Sequence, residues 1–192
     1  MILPIVAYGD PVLRKETEEI DANYPDLKQL IADMFETMYH SKGVGLAAPQ
    51  IGLPIRLFIV DAAGFNEDGE APELEGFKRV FINPIIIEEK GKEWKFEEGC
   101  LSIPGIREEV SRKPELTIEY YNENFELVEE KLDGLGARVV QHEYDHIEGI
   151  LFVDKINPLK KQLIKSRLNA ITKGEIKVGY RMKFPLLKNK SL

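Results

Sequence analysis

The sequence predicts an α+β fold, and three observations carry that reading. Leu27, Leu30, Ile31, Met34, Phe35 and Met38 recur at helical spacing, and β-branched or aromatic-rich segments then follow one another from residue 56 to residue 131. A second helical pattern comes after them and contains His142-Glu143-Tyr144-Asp145-His146, which uses two of the chain's three histidines. With 192 residues and 43% apolar content, residues 1–192 suit a single soluble globular domain with a real core.

The first stripe falls at i, i+3, i+4, i+7, i+8 and i+11, so a helix is predicted from about Pro25 to Ser41. Gly43-Val44-Gly45-Leu46-Ala47-Ala48-Pro49-Gln50-Ile51-Gly52 then reads as a structured loop. Strands are predicted at Arg56 to Val60, Val80 to Glu88, Glu93 to Phe96, Leu116 to Tyr121 and Phe125 to Lys131, with Asn122-Glu123-Asn124 as a hairpin turn. Residues 62–79, rich in Gly, Glu, Pro and Asp, read as an exposed surface insertion. Gly134 to Glu148 reads as a helix with Leu135, Val139, Val140 and Ile147 turned inward. Asn157-Pro158 supplies an N-cap and a first-turn proline for a C-terminal helix to about Ile171. Gly174 ends it, and Val178 to Phe184 reads as a last strand.

No stretch approaches a membrane span, and the run Ile2 to Ala7 lacks the basic lead of a secretory signal. A single cysteine, Cys100, excludes an internal disulfide and fits a reducing compartment, so the expected location is the cytoplasm. The net charge of −7 conceals an asymmetry. Residues 155–192 carry eleven Lys and Arg against one acid, Glu175, a balance of +10 that leaves −17 on residues 1–154. A basic C-terminal helix and tail on an acidic body fits an anionic partner such as RNA, and equally a solvated helix face with a loose end.

On a helix, His142 and His146 share a face and can offer nitrogens to one metal ion, with Glu143 beside it to take a proton from bound water. Two surface histidines would satisfy the same pentapeptide. A catalytic site also needs a third protein ligand and one open position. Phe152 stands where metzincins place a third histidine, Glu148 is too close on the same helix, and Glu175 is the only acid after Asn157. Cys100, within Glu97-Glu98-Gly99-Cys100-Leu101-Ser102-Ile103-Pro104-Gly105, is the strongest remaining donor, since a thiolate binds zinc or ferrous iron well. It also reads as a small buried hydrophobe, or as a free nucleophile with a histidine base. Gly43 to Ala48 satisfies a dinucleotide-binding G-x-G-x-x-A pattern, but a helix precedes it and Pro49, Gly52 and Pro54 forbid one after it.

Gly43 to Gly52, Glu98 to Ser102 and Gln141 to His146 resemble the three signature motifs of the peptide deformylases, in order and at similar separations. The resemblance implies antiparallel sheets surrounding a central helix that carries the metal motif. It implies a hydrolase that removes the formyl group from the N-terminal formylmethionine of newly made polypeptides, by attack of a metal-bound water activated by Glu143. Cys100, His142 and His146 become the metal ligands, and Gln50 with the Leu101 backbone N–H become the oxyanion donors. Ferrous iron is the expected native metal, with zinc or nickel able to replace it. The peptide is expected along the backbone near Val44, Gly45 and Gly99. Leu135, Val139 and the stem of Glu98 are expected to line the methionine pocket, and Arg107 and Arg112 either contact peptide carbonyls or form ion pairs.

Two departures from the family pattern stand out: the insertion at 62–79, and an end from Lys177 to Leu192 that reads as extended where some relatives finish in a long helix. Neither is expected to touch the motifs. Weak ribosome contact would run through Lys160, Lys161, Lys165 and Arg167, and no membrane contact is expected. The rival readings are a metalloprotease with Glu175 as third ligand and a binding module with a structural metal.

Overall fold

Leu57, Phe58, Ile59 and Val60 are buried without alternation, because the sheet they belong to is covered on both faces. The computed structural model describes residues 1–66, 68, 69 and 71–187. Its strands are β1 (Ile5–Val6), β2 (Gly45–Ala47), β3 (Leu57–Asp61), β4 (Lys78–Lys90), β5 (Trp94–Cys100), β6 (Ile103–Arg112), β7 (Glu115–Tyr121), β8 (Leu127–Leu132) and β9 (Met182–Lys183). Its α-helices are α1 (Leu27–His40), α2 (Gly134–Ile147) and α3 (Pro158–Thr172). Among the described residues the strands form an antiparallel sheet ordered β2-β3-β4-β7-β8, a β5–β6 hairpin and a parallel ribbon of β1 with β9. The class is α+β, and no helix among the described residues is long and apolar enough to cross a membrane.

Successive strand side chains point to opposite faces, and β3 uses both. Leu57 and Ile59 join Ile31, Met34 and Met38 of α1, whereas Phe58 and Val60 join Ala137 and Val140 of α2. Phe58 and Phe81 face each other in register with rings 4.6 Å apart, and Tyr120 continues the ladder 4.3 Å from Phe81. Each such side chain contributes roughly 1.5–3 kcal/mol by leaving water, which clamps α2 against the sheet.

The helices follow their local signals. The α1 stripe is inward-facing, with Leu30 partly buried at its edge. Asn157 Oδ1 accepts the Leu159 N–H at 2.8 Å and starts α3. Gly149 ends α2 in the left-handed region at φ +70°, where a Cβ would meet the Arg14 backbone at 3.2 Å.

Other elements depart from the expected ones. β6 lies where no strand is predicted: Pro104-Gly105 and four charged residues, Arg107, Glu108, Glu109 and Arg112, obscure its alternation, and in a two-stranded hairpin proline is tolerated. Between Gly99 and Cys100 the β5–β6 register slips, a bulge that re-aims Cys100. The Gly43–Gly52 segment holds β2 and a 3-10 helix, Ala48–Ile51, rather than a loop alone. Within 62–79, Ala62, Ala71, Leu74 and Phe77 are buried, and Leu74 and Phe77 lie against Gly136 of α2. The segment is therefore anchored by four apolar residues rather than wholly exposed; positions 67 and 70 lie outside the described residues. The strand expected at Val178 to Phe184 reduces to β9, and residues 188–192 of the basic tail lie outside the described residues.

Candidate active site

Helix α2 is buried almost all round although half its side chains are polar: Arg138, Gln141, His142, Glu143, Asp145 and His146 are all inside. Most of these buried polar groups have partners, and the partners and the exceptions together define the site. His142 and His146, one turn apart, stand edge to face with ring centroids 5.2 Å apart. From the bulge at the end of β5, Cys100 brings Sγ to 3.3 Å from His146 Nε2. One donor atom from each of Cys100, His142 and His146 lies within 4.8 Å of the others. Around a tetrahedral ion with bonds of about 2.0–2.3 Å, neighbouring ligand atoms are spaced by roughly 3.3–3.8 Å, so this trio needs only slight contraction.

The charges favour a cation at the same place. His142 Nδ1 lies 2.9 Å from Glu98 Oε2, which fixes the proton on Nδ1 and leaves Nε2 as a lone-pair donor. Burial lowers the His142 pKa, but the Cys100 thiol and the Glu98 carboxylate outweigh it and raise the pKa well above the usual value. A proton or a metal ion there would satisfy the same two groups. Burial, then the positive charges of His142 and Arg112, pushes His146 well below its usual value, so it is neutral and ready to ligate.

Glu98 is the hub behind this trio. Arg112 donates to it from Nε at 2.6 Å and from Nη2 at 3.0 Å, and Arg138 Nη1 adds a third bond at 3.0 Å. Burial opposes its charge, but the His142 and Arg112 hydrogen bonds hold Glu98 well below the usual carboxylate range. Arg112 Nη1 reaches Asp145 Oδ2 at 2.7 Å, so two arginines and two carboxylates balance inside the fold. Arg112 is thus spent on ion pairs and does not line the cleft.

Glu143 lies beside the trio without a counter-ion of its own. Its Oε2 is buried with no partner among the described residues, and burial pushes its carboxyl up to about 7. Gly45 makes the room, since a Cβ there would sit 2.5 Å from Glu143 Oε1. Gln50 is also buried rather than a solvated loop residue. Its Oε1 accepts the Ala47 N–H at 2.9 Å, which forces Nε2 to face Ser102 Oγ at 3.2 Å and Cys100 Sγ at 3.4 Å.

These groups open onto a cleft of about 640 Å³. Val44, Gly45, Glu98, Gly99, Arg107 and Val139, all expected near substrate, line it together with Gln50, Cys100, Leu101, His142 and Glu143. Leu135 does not; in the first turn of α2 it packs against the sheet-side core. Arg107 is exposed at the rim and pairs with Glu97 at 3.0 Å. Among the lining residues that sequence reasoning missed are Phe65, Phe96, Lys177, Val178 and Tyr180. The first comes from the segment taken as an insertion and the last three from the C-terminal arm. Both departures therefore contribute to the cleft, and the C-terminal arm touches a motif, contrary to expectation: Tyr180 Oη donates to Leu101 O at 2.7 Å. No local pattern marks a lone tyrosine as reaching residue 101, although its aromatic ring in a basic tail was the available cue.

Residues 2–162 match the family model described as polypeptide deformylase. Over 190 residues the chain is 60% identical to a peptide deformylase of Christiangramia forsetii, across 96% of this chain and 97% of that one. It is 58% identical over 193 residues to that of Flavobacterium johnsoniae, across 98% of each. The crystal structure of a peptide deformylase from Legionella pneumophila shares the fold with a TM-score of 0.78 at 38% identity, covering 91% of this chain and 98% of that one. With its sequence matched nearly end to end and its fold shared, the chain belongs to the polypeptide deformylase family.

Proposed function

We propose that this enzyme, a deformylase of N-formylmethionyl nascent peptides, works with Glu143 as general base and acid and with Cys100, His142 and His146 holding one divalent metal. The observation that carries the reading is a Cys/His/His donor set beside a buried carboxylate oxygen that has no partner among the described residues, at a cleft that Cys100, His142, Glu143, Gln50 and Leu101 line. A bound divalent ion supplies Lewis acidity, which polarises the formyl carbonyl and makes water acidic near neutral pH.

The chain's own groups do the rest. Glu143 takes a proton from the attacking water and returns it to the departing amine, from a buried position beside the donor trio where no charged partner among the described residues holds its carboxylate. As the carbonyl oxygen gains charge, Gln50 Nε2 and the Leu101 backbone N–H donate to it. The Ala47 N–H holds the Gln50 amide beforehand, so the donor is already aimed. β2 is the edge strand of its sheet, so an extended peptide can pair with the backbone at Val44 and Gly45 and at Gly99 across the cleft. Main-chain pairing is indifferent to side chains, which suits a substrate whose later residues vary. Val139 and the Glu98 stem then face the methionine side chain.

The thiolate and imidazole donors accept ferrous iron, zinc or nickel, and ferrous iron is our assignment for the native ion. The cytoplasm is the expected compartment, because the substrate leaves the ribosome there. Ribosome contact through α3 is the weaker element: Lys160 already pairs with Glu108 and Lys161 with Asp154, each at 3.2 Å, and Arg167 donates to Gly105 O.

The deciding experiment is formate release from a formyl-Met tripeptide beside its acetyl-Met counterpart, using enzyme purified without oxygen and loaded with ferrous iron. Release from the formyl peptide alone is expected. No release from either, with one metal bound per chain, would sink the proposal and favour a structural metal.

A further inference from the structure

The β1–β9 ribbon holds both carbonyls that follow Cys100. Tyr8, two residues beyond β1, gives its backbone N–H to Ser102 O at 2.9 Å, and Tyr180, two residues before β9, gives its hydroxyl to Leu101 O at 2.7 Å. The ribbon is itself tied down, by Ile5 N–H to Arg181 O at 3.0 Å and Ala7 N–H to Lys183 O at 2.9 Å. Met182 and Phe184 pack into the core beside it. The Tyr180 ring lies in the same apolar cluster as Leu101 and forms part of the cleft wall. Burial, then the charge of Cys100, keeps its phenol well above the usual range, so the hydroxyl remains a donor.

Leu101 joins the bulge at Cys100 to β6 through a turn, and neither ladder pairs it. Its N–H and its C=O hinge about one Cα, so the direction of the N–H depends on what holds the carbonyl. Within reach of that carbonyl stands the one phenol of an arm that lies beyond the residues, 2–162, shared with the family model.

We propose that Tyr180 is a positioning residue for deformylation: by fixing the Leu101 carbonyl, its hydroxyl keeps the Leu101 N–H aimed at the oxygen of the scissile formyl group. The proposal rests on the reading of Leu101 N–H as an oxyanion donor. A preorganised donor acts in the transition state more than in the ground state, so its loosening lowers kcat and leaves KM nearly unchanged.

Tyr180→Phe keeps the ring and removes the hydroxyl. With formyl-Met tripeptide, kcat should fall about tenfold, the loss of part of one donor's contribution, while KM stays within about twofold and metal content is unchanged. Phe184→Leu loosens the same arm without touching the hydroxyl or the cleft; it should lower Tm and leave kcat at the parental value. Gln50→Ala separates the proposal from the reading beneath it. A slow Gln50→Ala beside a Tyr180→Phe with parental kcat overturns the role of Tyr180 alone. Parental kcat in Gln50→Ala overturns the oxyanion reading and this proposal together. Equal loss of kcat in Tyr180→Phe and Phe184→Leu at equal Tm shows a merely structural arm and also overturns it.

Discussion

Glu98 and His142 meet at 2.9 Å, carboxylate to Nδ1, and this contact orients the imidazole, whose ring also stands 6.0 Å from that of Phe152. The same carboxylate neutralises Arg112 and Arg138, so one buried residue sets both the ligand geometry and the charge balance behind it. Glu98→Gln should lower metal affinity by roughly 10–100-fold, as loss of a carboxylate behind a ligating histidine does elsewhere. Competition with a chelator of known affinity measures it. The variant should also lose on the order of 3–5 kcal/mol of stability, since Arg112 is left with Asp145 as its carboxylate and Arg138 keeps only the Val110 and Trp94 carbonyls. Unaltered metal affinity would show that Glu98 serves only the arginines.

Glu143→Ala should keep its metal and lose activity by ~100-fold or more. Because Glu143 Oε2 is buried without a partner among the described residues, removing it should leave Tm unchanged or raise it. Calorimetry and turnover on the same sample decide this; near-normal turnover with bound metal would count against Glu143 as the base.

Gly45→Ala tests the packing that admits the base. The added methyl would sit 2.5 Å from Glu143 Oε1 and 2.7 Å from its Cγ, so the carboxylate must move. A displacement of that size costs on the order of 100-fold in rate, with metal content preserved. Wild-type kcat in this variant would mean that Glu143 need not be placed where it is.

Asp154 predicts an acid limb of stability. Burial alone would raise its pKa, but Arg14, the Leu151 N–H and Lys161 outweigh burial and pull it down to about 2. A carboxylate with a lowered folded pKa stabilises fully above its unfolded value of about 3.9, and that contribution disappears as pH falls through about 2. The pair is part-exposed, so the contribution is on the order of 1 kcal/mol or less. Arg14→Ala should flatten the dependence of unfolding free energy on pH between about 4 and 2; a denaturation series with an unchanged slope would refute it.

Oxygen sensitivity follows from the donor set if the ion is ferrous iron. Cys100 is half-buried beside an open cleft, and both thiolate and ferrous iron are oxidisable. Activity of the iron form should decay in aerated buffer over hours and that of a zinc-loaded sample should not. An iron form stable for days in air would contradict the assignment.

What could be read locally was read well. The α1 stripe, the Asn157 cap, the Asn122–Asn124 hairpin turn and the shared face of His142 and His146 each depend on residues within about one or two turns of each other. Their geometry follows from backbone hydrogen bonding and a fixed side-chain period. The chemistry of the donor set was legible for a similar reason, since Cys100, His142 and His146 are chemically distinctive wherever they lie.

The amino-acid sequence by itself thus determined the class of fold, the candidate donor residues and the helix face that presents two of them. Tertiary structure alone decided that polar α2 is buried, that Arg112 turns inward to Glu98 and Asp145, that Leu135 misses the cleft and that Tyr180 reaches Leu101. Those outcomes join residues 14 to 79 positions apart, as in Arg112 with Glu98 and Tyr180 with Leu101. No local period encodes such pairs; they are selected when burying the apolar faces of β3, α1 and α2 leaves each enclosed charge only one set of partners within reach.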